Sequence, residues 1–345
     1  NLKEGWEWAK WLNAILALVR HAYTERDISI EAYAIDGHQD RDVMLVKPLL
    51  PVNAPTIFFG KGGGAKTYIV LRLAASFANG TPFLGMAVPS LPVLYLDYEG
   101  NEQTFQRRLD RVYQGMGFDG IGIGISYWRA RGIPLSDLVI PIRQKVERDG
   151  IGLLIVDSIA PACGGKPEDA EVALRYFRAL DRIGVASVNI AHVTKEGGNE
   201  YPFGSIFWNN EARMTWFVKR IQDEDSDDLD VGLFNKKVND GPRSHPFGVH
   251  IHFTDEHGPV IIREGHIQDV RELSEEQPLY RQVWDILARY AMTVDEIAGV
   301  VEVTTKAVDK ALRSHPKMFV QAGERTSKGN RPAKVWARLS SVNSP

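Results

Sequence analysis

A glycine-rich run at residues 60–67, Gly-Lys-Gly-Gly-Gly-Ala-Lys-Thr, is the feature that most constrains the fold of this chain. It follows an apolar run at 56–59 that is typical of a buried strand, and it leads into a helical pattern at 67–79 that Gly80 ends. A strand, a glycine loop and a helix start in this order form a phosphate site, because glycines let backbone N–H groups converge on phosphate oxygens near the helix dipole. The run therefore predicts an α/β fold with a phosphate-binding loop at a strand end.

Two side chains of this loop have the chemistry of a nucleotide triphosphate site. We expect Lys66 to bridge the β- and γ-phosphates of ATP and the Thr67 hydroxyl to ligate Mg²⁺. The usual pattern has glycine where this chain has Ala65. A methyl group is tolerated there if the backbone is helical, whereas a positive φ brings strain or a wider loop. The predicted nucleotide-binding residues are Gly60, Lys61, Gly62, Gly63, Gly64, Ala65, Lys66 and Thr67.

Polar side chains at three further strand ends complete a candidate hydrolytic site. The apolar run at 153–157 delivers Asp157, which lies about ninety residues beyond the loop and is predicted to hold the Mg²⁺ hydration shell. Residues 93–97 lead to Asp97 and Glu99, and either carboxylate has the position of a base that orients the attacking water. Strand alternation puts both on one side, so the sequence does not separate them. His192 follows the run at 187–191 and is predicted to contact the γ-phosphate.

Short β-rich runs alternate with helical segments between residues 46 and 262, a pattern that predicts βαβ units and a mainly parallel sheet. We expect an N-terminal helical segment at 1–45, an ATPase core at 46–265, a charged linker at 266–278 and a small C-terminal domain at 279–340. The predicted strands are 56–59, 93–97, 153–157, 187–191, 214–218, 231–235 and 249–253.

The C-terminal segment has three helical patterns followed by two β-like runs around a Gly/Arg/Lys tip, which is the order of a winged helix-turn-helix. From residue 277 to the end it has eleven Lys or Arg against six Asp or Glu, whereas the whole chain carries a net charge of −3. This asymmetry predicts a DNA contact through phosphates, although such domains also dock on proteins. The candidate DNA-binding residues here are Lys306, Lys310, Arg313, Arg325, Lys328 and Arg331.

The motifs taken in order resemble the RepA-like branch of the RecA/DnaB-type ATPases, over roughly residues 46–262. They read GKGGGAKT, VLYLDYEG, LLIVDSIAP, NIAHVTK, FGSIFWNNEAR and FNKKVNDG. The resemblance implies a RecA-like core, a hexameric ring whose sites lie between subunits, and a helicase-like role in phage or plasmid replication. By this resemblance the catalytic residues are Glu99 as the glutamate, Lys66, His192, Arg213 as a finger given to the neighbouring subunit, and Lys236, with Lys237, on a late hairpin.

The same resemblance places single-stranded DNA in a central channel, with Lys195 as a candidate contact on the loop after His192. Two other interpretations stay open. One is a non-motor, ATP-switched DNA-binding or loader protein. The other is a ParA/MinD-like partition ATPase, because residues 61–67 also resemble the KGGxGKT loop of that family, in which the first lysine, here Lys61, crosses a dimer interface.

Composition narrows the setting of the protein. The single cysteine, Cys163, excludes a disulfide framework and is typical of a reducing cytoplasm. No apolar run reaches the length of a membrane span, so we expect a cytoplasmic protein without a membrane partner. The slightly negative net charge excludes a globally basic nucleic-acid coat but leaves local patches open.

Overall fold

A computed structural model describes residues 8, 10–16, 18–19, 43–63, 65–120, 124–193, 201–222, 226–267, 270–288, 290–326 and 332–339. The chain divides into two compact units, Asn1–Asp42 and Val43–Pro345. In the first unit the described residues are helical. Within the described part of the chain, no helix has the length and apolar character needed to cross a membrane.

A nine-stranded sheet organises the second unit, in the order β11-β10-β9-β8-β3-β7-β6-β4-β5. Strands β8, β3, β7, β6, β4 and β5 are parallel, and β9, β10 and β11 extend the sheet in antiparallel fashion. A separate short hairpin precedes it, β1 Met44–Val46 and β2 Leu50–Pro51. The sheet strands are β3 Pro55–Gly60, β4 Val93–Asp97, β5 Ile125–Arg129, β6 Leu153–Asp157, β7 Ala186–His192, β8 Met214–Ile221, β9 Asp228–Val238, β10 Phe247–Phe253 and β11 Val260–Gly265.

Helices cover both faces of the sheet and bury a core on each. On one face α1 and α2 contribute Leu73 and Val112 to a cluster with β3 and β8. On the other face α3 and α5 contribute Ile142 and Leu180 to a second cluster. The helices of this part are α1 Lys66–Asn79, α2 Glu102–Gly115, α3 Val139–Asp149, α4 Ile159–Ala162, α5 Ala170–Ile183, α6 Phe207–Glu211 and α7 Arg271–Ser274.

The predicted α/β class with a mainly parallel sheet is confirmed, and all seven predicted strands lie within observed ones. The sequence did not indicate β5 and β11, the two edge strands. Each is only partly buried, so neither forms the continuous apolar run that marks a central strand of a parallel sheet. Residues 266–278, expected to be a linker, contain α7 and bury Ile267 and Leu273 in the second core. Its Glu276 also forms an ion pair with Lys219 of β8, at 2.9 Å.

Three helices and a three-stranded antiparallel sheet follow, with a hydrophobic core of their own that includes Trp284, Ile297 and Phe319. The second helix begins with a capping box, in which the Thr293 hydroxyl accepts the Glu296 N–H and the Glu296 carboxylate accepts the Thr293 N–H. These elements are α8 Leu279–Ile286, β12 Met292–Thr293, α9 Val294–Val301, α10 Thr305–Ser314, β13 Phe319–Thr326 and β14 Pro332–Arg338.

Candidate functional site

The glycine loop lies between the C-terminal end of β3 and the first turn of α1, as predicted. Only glycine fits at Gly60, because a Cβ there would lie 2.2 Å from the Val218 carbonyl oxygen on the neighbouring strand. Ala65 has φ 61° and ψ 7°, which is the left-handed conformation. The unusual alanine of this loop therefore occupies a position that favours glycine. Gly64 lies outside the described residues.

The Lys66 ammonium is buried inside the loop that precedes it. Its Nζ donates to the carbonyl oxygens of Gly60 at 3.0 Å and Lys61 at 2.8 Å. Desolvation lowers the pKa of Lys66 to about 8, against the opposing charges of Asp157 and Glu99. A buried cation that only neutral carbonyls solvate is ready to exchange them for anionic phosphate oxygens.

Asp157 and Thr67 meet below this loop. One carboxylate oxygen of Asp157, Oδ2, accepts hydrogen bonds from the Thr67 hydroxyl at 3.0 Å and from the buried Tyr95 hydroxyl at 2.6 Å. Burial raises the pKa of Asp157, and these two hydrogen bonds oppose that shift. A hydroxyl and a carboxylate side by side are hard oxygen donors that fit Mg²⁺. Among the described residues no group of three or more His, Cys, Asp or Glu could hold a metal ion.

The two acids that end β4 and follow it have different surroundings. Asp97 is buried, and its Oδ1 accepts the N–H groups of Glu99 at 3.0 Å and Gly100 at 2.7 Å, while its Oδ2 accepts the Tyr127 hydroxyl at 3.1 Å. The two backbone bonds fix the turn after β4, and the Tyr127 bond joins Asp97 to β5. Asp97 thus hydrogen-bonds the backbone and lines only the adjoining cavity of about 240 Å³, whereas Glu99 lines both cavities beside the glycine loop.

The Glu99 carboxylate is held by the ends of two other strands. Its Oε1 accepts a hydrogen bond from the Ser158 hydroxyl and lies 3.6 Å from His192 Nε2. The pKa of Glu99 is lowered by His192, by Ser158 and by the charge of Lys66, against a smaller rise from desolvation. Glu99 is therefore an ionised hydrogen-bond acceptor at neutral pH.

Five predicted catalytic or metal-binding residues line one cavity of about 280 Å³, together with other residues of the loop. An adjoining cavity of about 240 Å³ shares Thr67, Glu99, Arg108 and Asp157 with it. The first cavity is lined by Gly63, Ala65, Lys66, Thr67, Tyr68, Glu99, Arg108, Asp157, Ile190 and His192.

Two arginines belong to this site that the sequence did not indicate. Arg108 of α2 lines both cavities, and its guanidinium lies 6.0 Å from the centroid of the Tyr68 ring. Arg220 of β8 donates to the Gly63 carbonyl and so anchors the loop from the neighbouring strand. The position of its helix could have indicated Arg108. This helix begins just after Glu99, so it starts at the same edge of the sheet as the site.

The predicted finger lies far from this cavity. Arg213 precedes β8, whose Met214 is in register with Thr56 near the start of β3, whereas the glycine loop follows the end of β3. Arg213 is exposed, and its N–H donates to the Pro55 carbonyl at 3.0 Å. The strand between these ends has six residues, or roughly 17 Å at 3.3 Å per residue.

The two late lysines have different surroundings. Lys236 is half-buried and its ammonium lies 5.5 Å from the centroid of the Phe217 ring. Lys237 donates to three carbonyl oxygens at the end of α6, those of Asn209 at 2.9 Å, Asn210 at 2.6 Å and Ala212 at 2.6 Å. Burial lowers the pKa of Lys237. These contacts make Lys237 a C-terminal cap of α6 within its own chain.

The C-terminal candidates are partly paired with acids. Lys306 and Lys310 are exposed on α10. Arg313 forms an ion pair with Asp309 at 2.9 Å, and Arg325 forms one with Glu296 at 3.1 Å. The candidate DNA-binding residues Lys195, Lys328 and Arg331 lie outside the described residues.

Comparison with known families identifies the class of protein. The AAA domain family matches residues 25–198, which is half of the chain and includes the glycine loop, Glu99, Asp157 and His192. The chain belongs to this family of P-loop ATPases. The match supports nucleotide-hydrolysing activity in a RecA-like P-loop core. No curated protein matches the chain.

Proposed function

We propose that this chain is an oligomeric ATPase that acts on DNA, of the kind that serves as a replicative helicase in phages and plasmids. The observation that carries the catalytic part is the convergence of Lys66, Glu99, Asp157 and His192 on one cavity beside the glycine loop. This arrangement supplies a phosphate-binding cation, a base, a metal-binding acid and a polar contact for the terminal phosphate.

Each side chain has a distinct task in the proposed reaction. Lys66 exchanges the carbonyls of Gly60 and Lys61 for phosphate oxygens, while loop N–H groups bind the remaining oxygens. Mg²⁺, when held by Thr67 and Asp157, neutralises phosphate charge. Glu99 accepts a hydrogen bond from the attacking water and orients it towards the γ-phosphate. His192, beside the same Glu99 oxygen, contacts the γ-phosphate and passes its loss to the loop beyond.

The position of Arg213 supports an oligomer. Arg213 precedes the first residue of β8, and the glycine loop of its own chain lies at the opposite end of the sheet strands. Because Arg213 is also exposed, it would serve the nucleotide of a neighbouring subunit. A finger supplied in this way is worth about 10³–10⁵ in rate. Hydrolysis would then depend on assembly, and a hexameric ring is the form that the RepA-like resemblance implies. Lys236 is the second candidate for such a contact.

A basic surface on α10 supports a DNA partner. Lys306, Lys310 and Arg313 follow at spacings of four and three residues, which places them on one face of the helix. We propose that residues 279–340 are a winged helix and that this face contacts DNA phosphates, with single-stranded DNA in the channel near Lys195. Such contacts weaken as salt is added.

The test measures ATP hydrolysis with and without single-stranded DNA for the wild type, Lys66→Ala and Arg213→Ala. Arg143→Ala, which removes an exposed arginine of α3, is the matched control. We expect both site variants to lose hydrolysis, Arg213→Ala to keep nucleotide binding, and Arg143→Ala to resemble the wild type. Mixing the two inactive variants restores activity if the finger acts between subunits. Normal turnover by Arg213→Ala contradicts the finger assignment.

The two alternatives give different results in the same preparation. A loader or ATP-switched DNA binder assembles with ATP and binds DNA but does not separate strands. A ParA/MinD-like ATPase forms a dimer that Lys61→Ala abolishes. If the protein unwinds a forked duplex and needs ATP hydrolysis to do so, the motor is supported. If it assembles and DNA stimulates its ATPase but no strands separate, the loader is supported.

A further inference from the structure

Two loops leave the active site and meet again at a single carbonyl group. The first loop is residues 158–169 and begins at Ser158. The second loop follows His192 at the end of β7, and residues 201–208 are called the second-loop end. Ser158 and His192 both contact Oε1 of Glu99. At the far side, the Pro167 carbonyl oxygen accepts the Ser205 N–H at 2.9 Å and the Trp208 indole N–H at 2.7 Å.

The meeting point is closely fitted. Gly204 has φ 110°, and a Cβ there would lie 2.4 Å from the Pro167 carbonyl oxygen and 2.8 Å from the Trp208 indole nitrogen. The indole is 1% exposed and packs edge-on against Tyr176 of α5, with ring centroids 5.3 Å apart. It has no room to turn its N–H elsewhere. The Phe203 N–H donates to the His192 carbonyl at 2.8 Å, which ties the second-loop end back to β7.

The first loop is anchored at the end that begins at Ser158. Its α4 buries Ile159 and Ala162 in the second core, and the Cys163 thiol donates to the Ala160 carbonyl at 3.1 Å. The Asp169 N–H donates to the Lys166 carbonyl at 3.0 Å. The part of the loop next to Ser158 is therefore anchored in the core, and the exposed residues 164–166 join it to Pro167.

We infer that Trp208 is a positioning residue for Glu99, because its bond to Pro167 joins both loops into one unit that holds the Glu99 carboxylate through Ser158 and His192. This inference rests on the proposed role of Glu99 in hydrolysis. It assigns Trp208 a kinetic effect although the residue touches neither nucleotide nor Glu99. Loss of the indole N–H loosens the orientation of the base and leaves the nucleotide contacts of Lys66 and Thr67 in place.

The experiment compares Trp208→Phe with Trp216→Phe in steady-state ATP hydrolysis. Trp216 is an equally buried indole whose N–H donates to the Leu49 carbonyl at 3.1 Å, away from both loops, so its variant loses the same type of bond. For Trp208→Phe we expect kcat to fall about five-fold, the equivalent of one hydrogen bond, with KM for ATP unchanged. For Trp216→Phe we expect an unchanged kcat at a similar loss of stability.

A double-mutant cycle tests the route of the effect. In a Ser158→Ala background, Trp208→Phe should lower kcat less than five-fold, because one of the two links to Glu99 is already cut and only the link through His192 remains. Gly204→Ala, which displaces the Pro167 carbonyl by a different chemical change, should reproduce the loss of kcat and keeps the test valid if Trp208→Phe folds poorly. Urea unfolding and oligomer size are measured for every variant.

The inference is overturned if folded Trp208→Phe has wild-type kcat while Glu99→Gln is inactive, or if the Ser158 and Trp208 effects are additive. Failure of the proposed function is a separate result, because it appears as normal hydrolysis by Glu99→Gln. The ATPase measurements need no DNA, so the absence of DNA stimulation does not affect the outcome.

Discussion

Ala65 provides the most direct test of the loop geometry. Holding a non-glycine residue in the left-handed conformation costs roughly 1–2 kcal/mol, which glycine avoids. Ala65→Gly also raises the conformational entropy of the unfolded chain, which lowers the free energy of unfolding by about 0.4–1 kcal/mol. It also removes a half-buried methyl group that packs on the first core. Because burying a whole methylene stabilises a protein by about 0.8 kcal/mol, losing this half-buried group costs up to about 0.5 kcal/mol. The expected net change is a stabilisation of about 0.5 kcal/mol.

The same substitution elsewhere in this helix has the opposite sign. Ala78 is also half-buried but lies within α1, so Ala78→Gly should destabilise the protein by about 0.5–1 kcal/mol. Urea unfolding of the two variants and the wild type, each without nucleotide, measures both changes. The difference of about 1 kcal/mol between the two variants exceeds the error of such a comparison. Equal destabilisation by both would refute the left-handed strain at Ala65.

Three further predictions concern the site. Because the pKa of Lys66 is lowered to about 8 in the nucleotide-free protein and phosphate would raise it, binding takes up a proton above pH 8. Affinity for a fluorescent ATP analogue should thus be constant below pH 8 and fall as the pH rises further, and a flat profile to pH 10 contradicts this. Glu99→Gln should lower kcat at least about 100-fold while nucleotide still binds. Asp97→Asn should chiefly lower the unfolding temperature. If Asp97→Asn alone abolishes turnover in a stable protein, Asp97 is the catalytic acid instead. Lys237→Met should cost about 1–3 kcal/mol in urea unfolding by leaving carbonyls of α6 unpaired, and Lys236→Met should cost less, so equal losses would argue against the cap.

Sequence alone placed the strands of the site and most of its residues, because apolar runs followed by a polar side chain mark the ends of parallel strands. Lys66, Asp157 and His192 are examples that the structure brings to one cavity, and their roles stay predictions. The choice between Asp97 and Glu99 needed the structure, since it depends on which carboxylate the turn after β4 uses for its own N–H groups. Period-2 alternation carries no information on that choice.

Contacts between distant segments account for the other differences. Arg220 reaches the glycine loop from a strand more than 150 residues later, and the bond to Gly63 has no local pattern. The resemblance groups Lys237 with Lys236, and the sequence did not indicate that its ammonium binds carbonyl groups of α6 in its own chain. The charged composition of residues 266–278 hid Ile267 and Leu273, whose burial depends on the second core.

The packed segment at 266–278 has a consequence for any partner of the C-terminal helices. A domain on a flexible tether samples many orientations, and a partner must restrict them when it binds two places at once. Here Ile267 and Leu273 are anchored in the core and Glu276 is paired with Lys219. The orientations of this segment are therefore already restricted when the chain folds. The C-terminal helices therefore begin directly after a segment that is packed on the sheet, and a ligand that spans α10 and the sheet would have fewer orientations to restrict than on a flexible tether.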